Sequence, residues 1–264
     1  MENSIQKKGA VAMWISFYTI LRKEVVRFLR IWTQTLLQPI ITQSLYFVIF
    51  GGFIGSQIPD INGVSYMAFI VPGLVMMAVI NSSFSNVVGS FFGSKFMKNI
   101  DELLVSPTPN WVIIAGYVGG GMLRGILVGA VVFLISVFFT NPVIHNIWLV
   151  LLFVVLTSIL FSLGGLVNAV FAKKFDDIMI FPTFILTPLT YFGGVFYSIH
   201  RLPEFWQGLS RLNPILYMID GFRYGFFGFA DVDVRFSAAM LVGLTVVLVI
   251  WCNWLLKRGV GMKA

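Results

Sequence analysis

The chain of 264 residues is apolar and basic, with 58% hydrophobic residues, 11% charged residues and a net charge of +7. Soluble domains carry about 25% charged residues, so this composition excludes an ordinary soluble enzyme or binding domain. The basic residues lie at the ends of apolar runs, where they orient a membrane protein, and this placement argues against a nucleic-acid partner. The single cysteine, Cys252, excludes an intrachain disulfide.

The N-terminal segment predicts an amphipathic helix over residues 12–32. Apolar side chains recur there at steps of three and four, while Lys23, Arg27 and Arg30 follow the same period on another face. We expect this helix to lie in the membrane interface with its basic side toward lipid headgroups. A solvated leader to the first span is the alternative. The apolar positions are Trp14, Phe17, Leu21, Val25, Phe28 and Trp32.

Six apolar runs predict six transmembrane helices. Each is near or above the ~20 residues that an α-helix needs to cross a bilayer. Together they contain no Asp, Glu or Lys and one Arg, Arg124, whereas a soluble helix of that length would have a charged outer face. The sequence therefore predicts an all-α membrane protein with no room for a nucleotide-binding domain. The runs are 34–55, 66–90, 113–139, 147–171, 178–197 and 237–256.

The distribution of Lys and Arg predicts the topology. Most of these residues lie in the N-terminal segment, the loops after the second and fourth runs, and the C-terminus. By the positive-inside rule, both termini are expected to be cytoplasmic. The loop after the fifth run weakens the contrast because it also holds four basic residues, namely Arg201, Arg211, Arg223 and Arg235.

The cytoplasmic loop over residues 93–109 predicts a short helix that Pro107 and Pro109 terminate. Its leucines are flanked by charged side chains, a composition that suits a protein–protein contact. An ordinary short connector is the alternative. The candidate contact residues of this loop are Lys95, Lys98, Asp101, Glu102, Leu103 and Leu104.

Polar side chains form belts in the second and fifth runs. In the fifth run, Pro182 and Pro188 favour a kinked helix, whose freed carbonyls need protein or a cavity as surroundings. A substrate path and close helix packing explain these belts equally well. The candidate path residues are Asn81, Ser82, Ser85 and Asn86 in the second run, and Thr183, Thr187, Thr190 and Tyr191 in the fifth.

The third run combines glycines with the one intramembrane charge. Gly119 to Gly121 and Gly125 predict close helix approach. Arg124 would cost about 2.5–3.5 kcal/mol at the bilayer centre. We therefore expect Arg124 to face protein or water, or to snorkel toward the interface.

The segment over residues 199–229 predicts external half-helices before the last span. A helical pattern ends at Asn213 and Pro214, and the apolar stretch that follows is too short to cross a bilayer. Such a stretch either re-enters the membrane or lies on it. Asp220 and Arg223 are three residues apart, so they could pair on one helix face.

The sequence lacks the common motifs of catalysis. There is no G-x-x-x-x-G-K-[ST], H-E-x-x-H or G-x-S-x-G motif, and His145 and His200 fall in predicted loops. We expect no catalytic, cofactor-binding or metal site on this chain. Ion-coupled carriers usually need an embedded carboxylate or histidine relay, which favours energy supplied by a separate subunit. A stand-alone channel or ion-coupled carrier, and an enzyme acting on lipid, are the alternatives.

Seven short segments are informative when taken together and in order. They are IIAGYVGGG at 113–121, FDDI at 175–178, PTFILTPLT at 182–190, GGVFYS at 193–198, FWQGLS at 205–210, LNPI at 212–215 and GFR at 221–223. At these spacings they resemble the permease subunits of type-2 ATP-binding-cassette exporters. The Asn-Pro pair at 213–214, followed by Gly221 and Arg223 just before the last span, is characteristic of that family.

The resemblance implies a fold, an activity and partners. It implies six transmembrane helices after an interfacial helix, in a bacterial inner membrane, and a homodimer that binds two copies of a separate ATPase carrying ATP and Mg²⁺. Residues 93–109 would then dock on the ATPase, with Arg27 and Arg30 contributing, and residues 199–229 would form the external half-helices. The substrate is not implied, because relatives export polysaccharides, lipids or drugs.

Overall fold

The computed structural model describes residues 2–261, and the side chains of residues 2–9, 101 and 104 lie outside the described part. Helices account for nearly all of the regular structure in this range. Their bounds are α1 Glu2–Arg30, α2 Thr33–Gln57, α3 Tyr66–Phe96, α4 Asn99–Val105, α5 Asn110–Ser136, α6 Ile147–Phe171, α7 Asp177–Tyr191, α8 Glu204–Arg211, α9 Pro214–Phe227 and α10 Val234–Arg258.

Five helices within residues 2–261 are long and apolar enough to cross a membrane, namely α2, α3, α5, α6 and α10. The fifth predicted run, 178–197, forms the shorter helix α7 and then a turn in which Gly194 has a φ of +78°. At 1.5 Å per residue, α7 is about 22 Å long, which is less than the ~30 Å of a hydrocarbon core. Helix length alone therefore supports five spans.

Helix α3 forms the centre of the bundle. In its most apolar stretch 83% of the residues are buried, against 17% for α2 and 22% for α10. Helices α5 and α6 pack on α3 and on each other, and the phenylalanines and valines of α3 supply much of the core. Because α2 and α10 are the least covered spans, they form the outer faces of the protomer.

Glycines on α5 allow its neighbours to approach closely. A Cβ atom at Gly120 would overlap the side chain of Glu24 on α1, and one at Gly125 would overlap the hydroxyl of Ser83 on α3. Small residues let helix backbones come together in this way within membranes. The predicted packing role of these glycines is confirmed.

Helix α1 packs along the first half of α5 through a face that overlaps the predicted apolar stripe. Among its described side chains, Ile20, Glu24 and Phe28, each four residues apart, are buried. Trp14 and Trp32, the ends of the predicted stripe, are 66% and 57% exposed. The stripe residues between these ends are buried or half-buried, namely Phe17, Leu21, Val25 and Phe28.

The helices give the bundle two distinct ends. The α4 end comprises α4, the adjoining half of α1 and the turn at 172–176, and the α9 end comprises α8, α9 and the loops around them. Helix α9 is buried between α6, α10 and α3. Its Gly221 and Gly225 rest against Phe153 and Val150 of α6, so α9 lies within the bundle at that end.

Candidate functional site: a polar cavity and its flanking clusters

A cavity of about 390 Å³ lies between α2, α3, α5 and α7. It brings together five of the eight side chains proposed to line a path, namely Asn81, Ser82, Ser85, Thr183 and Thr187. The apolar part of its lining includes Met77, Phe84, Val88 and Met179. The polar belts of the second and fifth runs therefore face one another across a shared space.

The remaining three path candidates lie elsewhere. Asn86 is fully buried and faces α1. Thr190 is buried and donates a hydrogen bond to the carbonyl of Leu186, within its own helix. The Tyr191 hydroxyl is 2.8 Å from that of Tyr46, so this residue joins α7 to α2 beside the cavity.

Polar residues of α2 complete the cavity, and the sequence reasoning missed them. Gln34, Gln38 and Thr42 line it and are exposed on the protomer surface, whereas Gln43 lines it and is buried. Their spacing of four residues was the available signal, because it places them on one helix face. Both walls contain π-helical turns, at Thr33–Leu37 and Pro182–Leu186, which often occur at functional sites.

An aromatic cluster joins α2 and α7 on the side of the α9 end. The Phe50 and Phe196 rings are 4.5 Å apart, and the Tyr191 ring stacks on Phe196 at 6.0 Å. Tyr46 contacts Phe50 and Phe196, each at 5.8 Å. These rings fill the contact between α2 and α7 beyond the cavity.

Arg124 lines the cavity from α5. Its Nε atom is buried, and within the described residues it has no hydrogen-bond partner. The structure thus places Arg124 on a polar surface, which was one of the two expectations for it. Its neighbours in the lining are amides, hydroxyls and apolar side chains.

A buried ionic cluster joins α1 to α3. The Glu24 carboxylate is fully buried, accepts a hydrogen bond from the Ser90 hydroxyl and lies 2.9 Å from Arg27 Nη2. Arg27 also donates to Asn86 Oδ1 at 2.7 Å and to the Asn86 carbonyl at 3.0 Å. Sequence reasoning looked for embedded carboxylates only within the apolar runs, and so it missed Glu24.

At the α4 end, one side of helix α4 packs against the bundle and the other side is exposed. Ile100 is buried against α3 and α5, and Leu103 packs against the same cluster. Glu102 is exposed and Val105 is 88% exposed. Lys98, also exposed, precedes the helix in a left-handed conformation with a φ of 60°. The side chains of Asp101 and Leu104 lie outside the described residues.

Two of the basic residues proposed for this end already make hydrogen bonds within the protomer. Lys95 donates from Nζ to the carbonyls of Val170 and Ala172, at 2.7 Å each. A cation there compensates the negative end of the α6 dipole. Arg27 is engaged by Glu24 and Asn86, whereas Arg30 is exposed.

Exposed aromatic side chains adjoin α4. The Phe96 and Phe175 rings are 4.9 Å apart, and both residues are more than half exposed, as is Met97. The turn that carries Phe175 is ordered by Asp177, whose Oδ2 accepts the N–H groups of Lys173 at 2.8 Å and Lys174 at 3.0 Å. These two N–H groups hold the pKa of the Asp177 carboxyl below its usual range.

A second polar cluster fixes the α9 end. Asp220 and Arg223 are both buried, with Arg223 Nη1 3.7 Å from Asp220 Oδ1, so the predicted pair is confirmed. Asp220 accepts the N–H groups of Asp231 and Val232. Arg223 donates to the carbonyl of Gly194 at 2.6 Å and lies 4.1 Å above the Phe69 ring. The pair therefore ties two loops and α3 together.

The start of α9 is a cap built from Asn213 and Pro214. Asn213 Oδ1 accepts the N–H of Ile215 at 3.0 Å, and its Nδ2 donates to the carbonyl of Leu189 on α7 at 2.6 Å. Pro214 occupies the first helical position, where its missing N–H costs nothing. This dipeptide thus starts α9 and fastens it to α7.

Among the side chains that the structure describes, no three His, Cys, Asp or Glu residues are placed to hold a metal ion. His145 and His200 lie in loops at the α9 end. Cys252 is buried in α10.

Comparison with known proteins identifies the family. The model of the ABC-2 type transporter family matches residues 15–227. The Inner membrane transport permease YadH of Escherichia coli (strain K12) is 57% identical over 251 residues, which cover 95% of this chain and 98% of that protein. Nodulation protein J of Rhizobium leguminosarum bv. trifolii is 22% identical over 86% of each chain. Nodulation protein J of Rhizobium meliloti (strain 1021) is 20% identical over 93% of each. The chain belongs to the ABC-2 type transporter family, as a membrane permease.

Proposed function

We propose that this permease is the membrane subunit of an ATP-driven exporter, and that it works as a homodimer with a separate ATPase. The observation that carries the proposal is the polar cavity between α2, α3, α5 and α7. Gln34, Gln38 and Thr42 on one wall and Thr183 and Thr187 on the other are exposed on the protomer surface. Polar side chains at these depths would be costly against lipid.

A second copy of the chain would remove the cost of exposing these polar side chains to lipid. If α2 and α7 of two protomers face one another, their polar stripes enclose a path between the subunits and leave the apolar faces to lipid. The low burial of α2 supports this arrangement, because only 17% of its apolar stretch is covered within one protomer. Asn86, Thr190 and Tyr191 then support the walls of the path without lining it.

The membrane topology that we propose has six crossings and an interfacial helix. Helix α7, with the turn at 192–197, completes the fifth crossing, so that both termini lie on the cytoplasmic side of a bacterial inner membrane. Helix α1, which exposes Trp14 and is followed by the exposed Trp32, lies in the interface, where tryptophan is favoured. Helices α8 and α9 are the external half-helices.

The α4 end is the proposed docking surface for the ATPase, which would carry the ATP and Mg²⁺. Its exposed apolar residues Phe96, Met97 and Val105 are flanked by Lys98 and Glu102, as in many protein interfaces. We assign direct contact also to Asp101, Leu103, Leu104 and Arg30. Lys95 and Arg27 act by holding this end in place, because their charged groups are already engaged.

Charge reversal on α4 tests the docking surface. Glu102→Lys exposes no new apolar surface, so we expect the permease to insert normally. Its affinity for the ATPase should fall at least about fivefold, and ATPase-driven transport should fall with it. Glu204→Lys is the matched control, because Glu204 is equally exposed but lies at the α9 end. Unchanged coupling in Glu102→Lys would remove the docking role from α4.

One observation favours an ion-coupled carrier as the second candidate. Glu24 is a fully buried carboxylate against α3, and embedded carboxylates are common in such carriers. Its pairing with Arg27 and its position outside the cavity lining favour a structural role. Gradient-driven transport by liposomes containing this chain alone would establish the carrier instead.

A further inference from the structure

Arg124 introduces a positive charge into a cavity that otherwise lacks charge. Among the described residues that line the cavity, Arg124 is the one charged side chain. It makes no ion pair with any described residue, and its buried Nε has no hydrogen-bond acceptor there. A guanidinium within a membrane span costs about 2.5–3.5 kcal/mol on insertion scales, so an unpaired one calls for an anionic partner.

The buried carboxylate of Glu24 does not supply that partner. Both oxygens of Glu24 are engaged, one by Ser90 and one by Arg27. The cavity is therefore electropositive and is open to a negatively charged ligand from outside the chain.

The rest of the lining fits an oxyanion attached to an apolar group. The amides of Gln34, Gln38 and Asn81 and the nearby hydroxyls can donate hydrogen bonds to phosphate oxygens. Apolar residues of α3 and α7, Met77, Phe84, Val88, Ile178 and Met179, form the remaining surface. The exposed side chains on α2 and α7 place the mouth of the cavity on the surface that borders the proposed path between the subunits.

We propose that this cavity binds the anionic phosphate head group of an amphiphile, with Arg124 as the residue that pairs with its charge. Arginine suits that role because its planar fork can donate two parallel hydrogen bonds to phosphate oxygens. The proposal rests on the proposed function, since it names the substrate class of the same path.

The test uses the full chain in nanodiscs of phosphatidylcholine and measures saturable binding above empty nanodiscs. The probes are lysophosphatidic acid, lysophosphatidylcholine of the same acyl chain, and inorganic phosphate. We expect lysophosphatidic acid to bind at least about tenfold more tightly than either of the others, as charge-assisted hydrogen bonds predict. Arg124→Gln should remove that preference, Arg124→Lys should keep most of it, and Arg235→Gln, a control at an exposed arginine, should not change it.

Three results would overturn the proposal. Equal binding of lysophosphatidic acid and lysophosphatidylcholine would show that charge is not recognised, and this comparison needs no variant. Equal binding of inorganic phosphate would show a site for a free anion rather than an amphiphile. An unchanged preference in Arg124→Gln would place the site elsewhere. The assay contains no ATPase, so a negative result leaves the assembly with an ATPase untouched.

Discussion

Removing the Glu24 carboxylate should detach α1 from the bundle. Glu24 is fully buried, and it holds Ser90 on α3 and Arg27 on its own helix. Removing one partner of a buried ion pair costs about 3–5 kcal/mol. Arg27 is 29% exposed and keeps its bonds to Asn86, so part of that cost is recovered by water, and we expect about 3 kcal/mol for Glu24→Ala.

The assay is thermal unfolding of the purified chain in detergent, followed by tryptophan fluorescence. At about 2–4 °C per kcal/mol for a chain of this size, Glu24→Ala should lower the midpoint by about 6–12 °C. Glu24→Gln, which keeps the shape but not the charge, should lie between Glu24→Ala and the native chain. A double-mutant cycle with Asn86→Ala should show coupling, because both residues hold Arg27.

Exposed carboxylates provide the control for this prediction. Glu102→Ala removes an acidic side chain that makes no buried contact, so its midpoint should stay within about 1 °C of the native value. A similar small effect for Glu24→Ala would refute the reasoning. In that case α1 would be held by its apolar contacts alone.

Three further predictions concern packing, capping and the α4 end. Gly125→Leu should cost about 1–3 kcal/mol through overpacking against α3, measured as a lower unfolding midpoint, whereas Gly243→Leu, with open space around its Cβ, should be neutral. Asn213→Ala should lower the midpoint by about 2–6 °C, because it removes the cap of α9, worth about 0.5–2 kcal/mol, and the bond to α7. Asp177→Asn should speed tryptic cleavage after Lys173 and Lys174 in inside-out vesicles, because a neutral acceptor holds the turn less firmly.

Each of these three predictions has an outcome that contradicts it. Equal midpoints for Gly125→Leu and Gly243→Leu would mean that α5 and α3 do not meet at Gly125. A native midpoint for Asn213→Ala would remove the link between α9 and α7. Unchanged tryptic cleavage in Asp177→Asn would show that the carboxylate does not order the turn.

The long apolar helices were predictable from sequence because hydropathy is a sum over many residues. The fourth run, 147–171, coincides with α6, and the others differ from their helices by a few residues at the ends. Helix α7 was predicted too long because the run of apolar residues continues through a turn at Gly193 and Gly194. Composition does not reveal such a turn when its residues are themselves apolar.

The side-chain clusters were harder to predict because they depend on which helix faces meet. Asp220 and Arg223 were identified as a pair because both lie on one helix at a spacing of three. Glu24 was missed because its partner Ser90 lies 66 residues away in the sequence. Part of the cavity lining was predicted. The polar belts of α3 and α7 were identified from the sequence, but the polar stripe of α2 was not.

Co-purification tests the central claim most directly. The chain, carrying an affinity tag, is solubilised gently from its native membrane, and the proteins that accompany it in stoichiometric amount are identified. We predict a soluble subunit with a phosphate-binding loop, in equal number with the permease, and ATPase activity in the complex. Purification of the chain alone, under every detergent and nucleotide condition, would contradict an ATP-driven exporter.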